Sequence, residues 1–216
     1  MEKLQTRKTT QLIAISLSFL AGYVDALGFL KLGGVFISFM SGNSTRLGVS
    51  GIVGDTFPAL LLAGIIGLFV LGVIAASLIG HFVHTKRSVA IIAFVTVLLA
   101  LAGAFDGAGY LVAAVAVATM AMGAINTLFE KDGEVSVALT YMTGTLVRMG
   151  QHMAKALTGG PRFGWLRYLL LWSGLVCGAL TGAFVYSMYG FAAIWLSAVQ
   201  AGAILLVIYK MDRRAA

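Results

Sequence analysis

One carboxylate stands well inside an apolar stretch of this sequence. Asp25 lies in the run from Gln11 to Leu30, and it is the only acidic residue so placed. On insertion scales an Asp at the centre of a bilayer helix costs about 2.5–3.5 kcal/mol, so a carboxylate kept there normally has a task. Asp25 either binds a proton or a cation, or it hydrogen-bonds a neighbouring segment or pairs with Arg46. Two polar breaks carry the other candidate chemistry: Ser41-Gly42-Asn43-Ser44-Thr45-Arg46 and Thr143-Gly144-Thr145-Leu146-Val147-Arg148. Gly42 and Gly144 permit a tight backbone bend. The hydroxyls and Asn43 can satisfy the backbone groups that a bend sets free, and such backbone survives at membrane depth only inside protein or beside a wet cavity. Exposed N–H groups at a broken helix, with Arg46 or Arg148 nearby, suit an anionic group. The plainer alternative has the arginines anchoring loop ends at the headgroups while the polar residues cap.

Other chemistries find no residues. Cys177 is the single cysteine and lies in an apolar run, so neither a disulfide framework nor a Cys-based metal site exists. His81, His84 and His152 lack carboxylate or Cys partners at ligand spacing and read as interfacial residues at cytoplasmic helix ends. No Ser-His-Asp set, HExxH, paired intramembrane aspartates or phosphate-binding Gly-Lys-Ser/Thr motif is present. We expect no catalytic residue, no metal and no cofactor, and an ATP-driven pump is excluded for this chain alone.

The elements that must position these residues are membrane spans. The 216 residues are 60% apolar and only 11% charged, against about 25% charged in a soluble domain. The mean hydropathy is +0.97. The net charge of +7 does not point to nucleic acid, because the basic residues form no face and fall between apolar runs, as those that orient membrane helices do. Spans are expected at 11–31, 58–83, 88–105, 110–129, 166–187 and 190–209, each of about 17 to 26 residues and long enough to cross a ~30 Å hydrocarbon core. The first resembles a signal peptide, but it lacks a small-x-small cleavage site and carries Asp25, so it reads as a retained helix. With the N-terminus inside, Lys31 and Arg46 are the only basic residues outside, and both termini are cytoplasmic.

Gly22-Tyr23-Val24-Asp25 aligns with Gly123-Ala124-Ile125-Asn126, and Met40–Gly48 with Met142–Gly150. After a single one-residue gap, that second register also pairs Gly72 with Gly174, Leu78 with Leu180 and Gly80 with Gly182. The expected fold is therefore all-α: six transmembrane helices as two inverted three-helix repeats, about 11–105 and 110–209, in one integral membrane domain covering 1–216. Three spans per copy is an odd number, so the second copy enters from the opposite side. Residues 33–54 and their counterpart are expected to be re-entrant or interfacial, because only Val135–Val147 is free of charge in the second copy, too short to cross. Glu130–Glu134 reads as a solvated turn. Small residues at spacing four, Gly72, Ala76 and Gly80 in span two and Gly174, Gly178 and Gly182 in span five, predict that these two spans cross each other or form a homodimer seam. Trp165 and Tyr168 inside, and Tyr186 and Tyr189 outside, fit interfacial belts.

The candidate substrate-binding set is thus Asp25, Asn126, Ser41, Gly42, Asn43, Thr45, Arg46, Thr143, Gly144, Thr145 and Arg148. The expected function is a small secondary transporter or permease for a small solute, proton- or cation-coupled through Asp25. The alternative is a non-transporting scaffold or accessory subunit. Expected partners are the lipid bilayer, a small-molecule or ion substrate and a second copy of the chain.

Ala21-Gly22-Tyr23-Val24-Asp25-Ala26, Phe36-Ile37-Ser38-Phe39-Met40-Ser41-Gly42-Asn43 and Thr140-Tyr141-Met142-Thr143-Gly144-Thr145-Leu146 resemble the motifs of the YoaK family, bacterial six-span membrane proteins classed as a domain of unknown function. The resemblance covers nearly the whole chain. Ser41 stands where the family commonly has Thr, which keeps the hydroxyl. The resemblance implies the fold and an inner-membrane location, and it supplies neither a substrate nor a catalytic residue.

Overall fold

A chain surrounded by lipid must satisfy its backbone polar groups internally, and long apolar runs do so as helices. The computed structural model describes residues 2–128, 130–131, 134–135 and 142–215, and it is helical almost throughout. In chain order the helices are α1 (Glu2–Lys31), α2 (Met40–Val53), α3 (Thr56–Phe82), α4 (Arg87–Gly107), α5 (Leu111–Ile125), α6 (Met142–Leu157), α7 (Leu166–Tyr189) and α8 (Ile194–Ala215). A 3-10 turn, Gly190–Ala193, joins α7 to α8. Between α5 and α6, Glu130–Lys131 pairs antiparallel with Glu134–Val135, and the centre of that expected turn lies outside the described residues.

Four helical stretches are long and apolar enough to cross a membrane: Thr9–Lys31, Thr56–Phe82, Arg87–Gly107 and Leu166–Arg213. The last, at 48 residues, contains both α7 and α8. The apolar α5 has 15 residues, about 22 Å of helix. At 14 and 16 residues, α2 and α6 reach only about 21–24 Å, short of a ~30 Å core.

Packing rests on glycines set against backbone. A Cβ on Gly22 of α1 would overlap the Leu175 carbonyl of α7, and one on Gly178 of α7 would overlap the Phe19 carbonyl of α1. The same reciprocal contact joins α5 to α3: Gly123 meets the Phe69 carbonyl and Gly72 meets the Met120 carbonyl. Without side chains between them the backbones approach closely, which is how helices associate where lipid offers no hydrophobic drive. Among the described residues α3 and α7 do not touch, so the expected crossing of spans two and five is replaced by α3 on α5 and α7 on α1. The register changes too. Gly72 takes the part of Gly178, not of Gly174, a slip of about one helical turn. Equally spaced small residues satisfy both registers on paper, and only the carbonyls opposite them decide.

Polar ties fasten α1 to α7, to the 3-10 turn and to α8. The Ser18 hydroxyl donates to the Leu171 carbonyl at 2.8 Å, the Tyr23 hydroxyl to the Ala193 carbonyl at 2.9 Å, and the Gln200 amide to the Ser16 carbonyl at 2.9 Å. Elsewhere the interior is mostly apolar, with Leu99, Ala102, Ala118, Ala121, Met122 and Ala201 fully buried among α4, α5 and α8, and the buried Thr119 and Ser197 hydroxyls donate to carbonyls of their own helix or its start.

Candidate functional site

The polar centre of the first half is a loop between α1 and α2. The chain leaves α1 through Gly33 and Gly34, whose φ angles of 63° and 98° lie in the left-handed region that L side chains rarely adopt. It then folds back beside α1, with bends at Ile37 and Ser38, before α2 begins. One oxygen of Asp25 accepts the backbone N–H groups of Ile37 at 2.8 Å and Ser38 at 2.7 Å. Asn43, fully buried on the first turn of α2, clasps Phe36 from both sides: its carbonyl oxygen accepts the Phe36 N–H at 3.1 Å, and its amide donates to the Phe36 carbonyl at 2.7 Å. Buried backbone donors left without partners are costly, so the two side chains act as the missing strand for this loop. Gly28 makes room beneath it, since a Cβ there would overlap the Ile37 side chain.

This geometry decides between the two structural readings of Asp25. It hydrogen-bonds the neighbouring segment, and no ion pair with Arg46 forms. The guanidinium of Arg46 instead lies over Gly34, 3.0 Å from where a Cβ would stand. The bend also moves. Gly42 sits inside α2 and Gly144 inside α6, neither with positive φ, and the turning residues are Gly33 and Gly34. Gly42 is small for another reason: a Cβ there would strike the Phe39 ring at 2.5 Å. Ser44 and Thr45 return their hydroxyls to the carbonyls of Met40 and Ser41, one turn back in α2, as hydroxyls do inside helices. Ser41 and Thr45 are exposed.

In the second half, Asn126 follows the end of α5 and donates to the Met122 carbonyl at 2.8 Å. The stretch that would answer residues 36–39 falls at 138–141, outside the described residues. Thr143, Gly144, Thr145 and Arg148 lie on α6, with Thr143 and Arg148 exposed. The α6 helix packs on α7, where His152 lies over Tyr168 with ring centroids 5.2 Å apart and Arg167 donates to the Tyr168 hydroxyl at 2.6 Å. The structure thus joins Asp25, Asn43 and the loop, sets Arg46 beside them, and leaves the α6 residues elsewhere, because α2 and α6 share no contact among the described residues. Among those residues no three His, Cys, Asp or Glu side chains converge to hold a metal ion.

Beside the loop an apolar groove of about 460 Å³ runs between α1 and α7, lined by Phe29, Leu30, Phe36, Leu175 and Leu180 among others, with Asp25 in its wall. Sequence reasoning missed this groove and the part played by Gly33-Gly34. The glycine pair itself was a readable turn signal. It also missed Arg87 at the start of α4, which donates to the Thr127 carbonyl just past α5 at 3.0 Å; nothing in the sequence marks that pairing.

Residues 13–207 match the model of a family described as a protein of unknown function, DUF1275. The chain is similar to the UPF0700 transmembrane protein RA0705 of Rhizobium meliloti (strain 1021), 35% identical over 202 residues that make up 94% of this chain and 87% of that one. It is similar also to the UPF0700 transmembrane protein YoaK of Bacillus subtilis (strain 168), 30% identical over 139 residues, 60% of each chain. No solved structure matches. Together with the apolar helices, these relatives make the chain a multi-pass membrane protein.

Proposed function

The chain belongs to the DUF1275 family, and from that premise we propose that it is a small secondary transporter or permease of the bacterial inner membrane. In this reading α1, α3, α4, α5, α7 and α8 are six spans forming two inverted repeats, and α2 and α6 are short interfacial or re-entrant helices. Both termini face the cytoplasm, following the Lys and Arg distribution. The observation that carries the proposal is the reciprocal glycine contact of α1 with α7, repeated between α5 and α3. Two like seams between oppositely oriented halves are what rocking around a central solute path requires. No catalytic step and no cofactor enter this reading, and a second copy of the chain would cover the lipid-exposed face of α3.

Asp25 keeps its candidacy as a proton or cation site. The amide bonds it accepts give it a positioning task as well, because whatever changes its charge also changes the loop. A second reading, a non-transporting scaffold, is favoured by the apolar lining of the groove that reaches Asp25 and by the fully buried interior between α4, α5 and α8. The test is flux in proteoliposomes under a proton gradient across a panel of small solutes, with wild type, Asp25→Asn and Gly72→Ala. Transport predicts flux of at least one solute that falls in both variants. A complete panel without flux, together with a partner protein recovered in stoichiometric amount, would leave the scaffold reading standing.

A further inference from the structure

We propose that the groove between α1 and α7, together with Arg46, binds one anionic phospholipid, an acyl chain along the groove and the phosphate on the guanidinium. Three independent observations converge on this corner. The groove is open along its side, where Leu30 is 45% and Leu180 is 67% exposed, so its mouth faces the lipid tails. At about 460 Å³ it lies in the range of true ligand pockets, about 300–1,000 Å³.

The second observation is at the rim. Phe29 and Phe36 pack at 4.9 Å between centroids and form one end of the groove. The point where Gly34 lacks a Cβ lies 3.0 Å from Nη1 of Arg46 and 3.7 Å from the Phe29 ring, so the guanidinium and the groove wall both flank Gly34. The third is that Arg46 has no hydrogen bond or ion pair with any described residue, while Asp25 is turned to the loop amides. A guanidinium that lies beside apolar surface and lacks a protein acceptor suits a phosphate, which it can grip with two parallel donors. The walls are almost wholly apolar, which suits a tail and gives a soluble anion nothing but the arginine. A cationic amphiphile would find its counter-charge already engaged.

The lipid site does not depend on transport. Only its assignment to the outer leaflet rests on the topology proposed above, and labelling Thr45→Cys with a membrane-impermeant maleimide in a Cys177→Ser background tests that separately. For the site itself, the full-length protein in detergent is titrated with phosphatidylglycerol and with phosphatidylcholine, and bound lipids are counted by native mass spectrometry. The expected result is one phosphatidylglycerol retained with a preference of about tenfold, the size of one charge-assisted contact. Arg46→Gln should bring that preference near unity, and Leu180→Trp, at an exposed position that tolerates bulk, should lower retention of both lipids. Glycerol phosphate at equal concentration should displace neither. Equal retention of the two lipids, an unchanged preference in Arg46→Gln, displacement by glycerol phosphate, or a dimer that Leu180→Trp dissociates would each overturn the proposal, the last by giving the groove to a second copy.

Discussion

The first helix and the fifth make matching contacts, yet one runs 30 residues and the other 15. Gly22 and Gly123 each lie on a backbone carbonyl of the helix they cross. Beyond that shared seam the two ends diverge. The α1 end carries a carboxylate whose bonds reach across to the chain entering α2, whereas the α5 end carries a neutral amide, Asn126, which donates to the Met122 carbonyl. The following helices differ in the same sense. In α2 a lone Arg46 accompanies a buried Asn43, while α6 buries none of its residues and carries Arg148, His152 and Lys155 at positions that share one side. The two seams thus share one device, helices without side chains between them, while α2 and α6 differ in what they bury.

The sharpest way to break this comparison is Asp25→Leu. It strips the acceptor from two buried N–H groups at about 1–3 kcal/mol each, and the thermal midpoint in detergent should fall further than in any other single variant described here. Asp25→Asn keeps one oxygen and should lose less; equal losses would mean that charge, not acceptance, is what the loop uses. Next come the seams. Gly22→Ala and Gly123→Ala place a Cβ into opposing backbone and should each cost about 1–3 kcal/mol, whereas Gly64→Ala, with open space around it, should be neutral or stabilising by up to about 1 kcal/mol. A wide difference between the Gly22 and Gly123 variants would break the equivalence of the two crossings. Asn43→Ala removes both bonds to Phe36 and should expose residues 32–39 to limited proteolysis, with a stability loss of about 1–3 kcal/mol. Smallest is Tyr168→Phe, which removes a hydroxyl from the exposed Arg167 pair and should shift stability by less than about 1 kcal/mol.

Much of this was legible beforehand because lipid makes patterning blunt. Charge-free runs and the placement of Lys and Arg marked the apolar helices; most ends moved by a few residues, while α1 starts nine residues earlier, at Glu2, and α8 runs on to Ala215. Short helices were expected because charges bound Val135–Val147 in the second copy, but α6 begins at Met142 and carries Arg148 and Lys155 within it. The seam partners were not legible. Gly72 can be set against Gly174 or Gly178 with equal ease in a sequence, because small residues four apart repeat every turn, and the choice belongs to carbonyls that every residue carries. The loop was half legible. Asp25 and Asn43 stood out as polar residues among apolar ones, but their partners are backbone groups of Phe36, Ile37 and Ser38, which no side-chain pattern announces.

The closeness of Asp25 to its partners also bears on how the protein is made. The helix that α1 crosses, α7, leaves the ribosome more than a hundred residues later, so α1 must wait in the bilayer without its mate. Its carboxylate does not wait with it. Ile37 and Ser38 follow only twelve and thirteen residues later, and with Asn43 they close a self-contained hairpin of chain around the charge. The first helix can therefore be released laterally into lipid with its one costly group already screened, and the long-range seam can form at leisure once the last helices arrive.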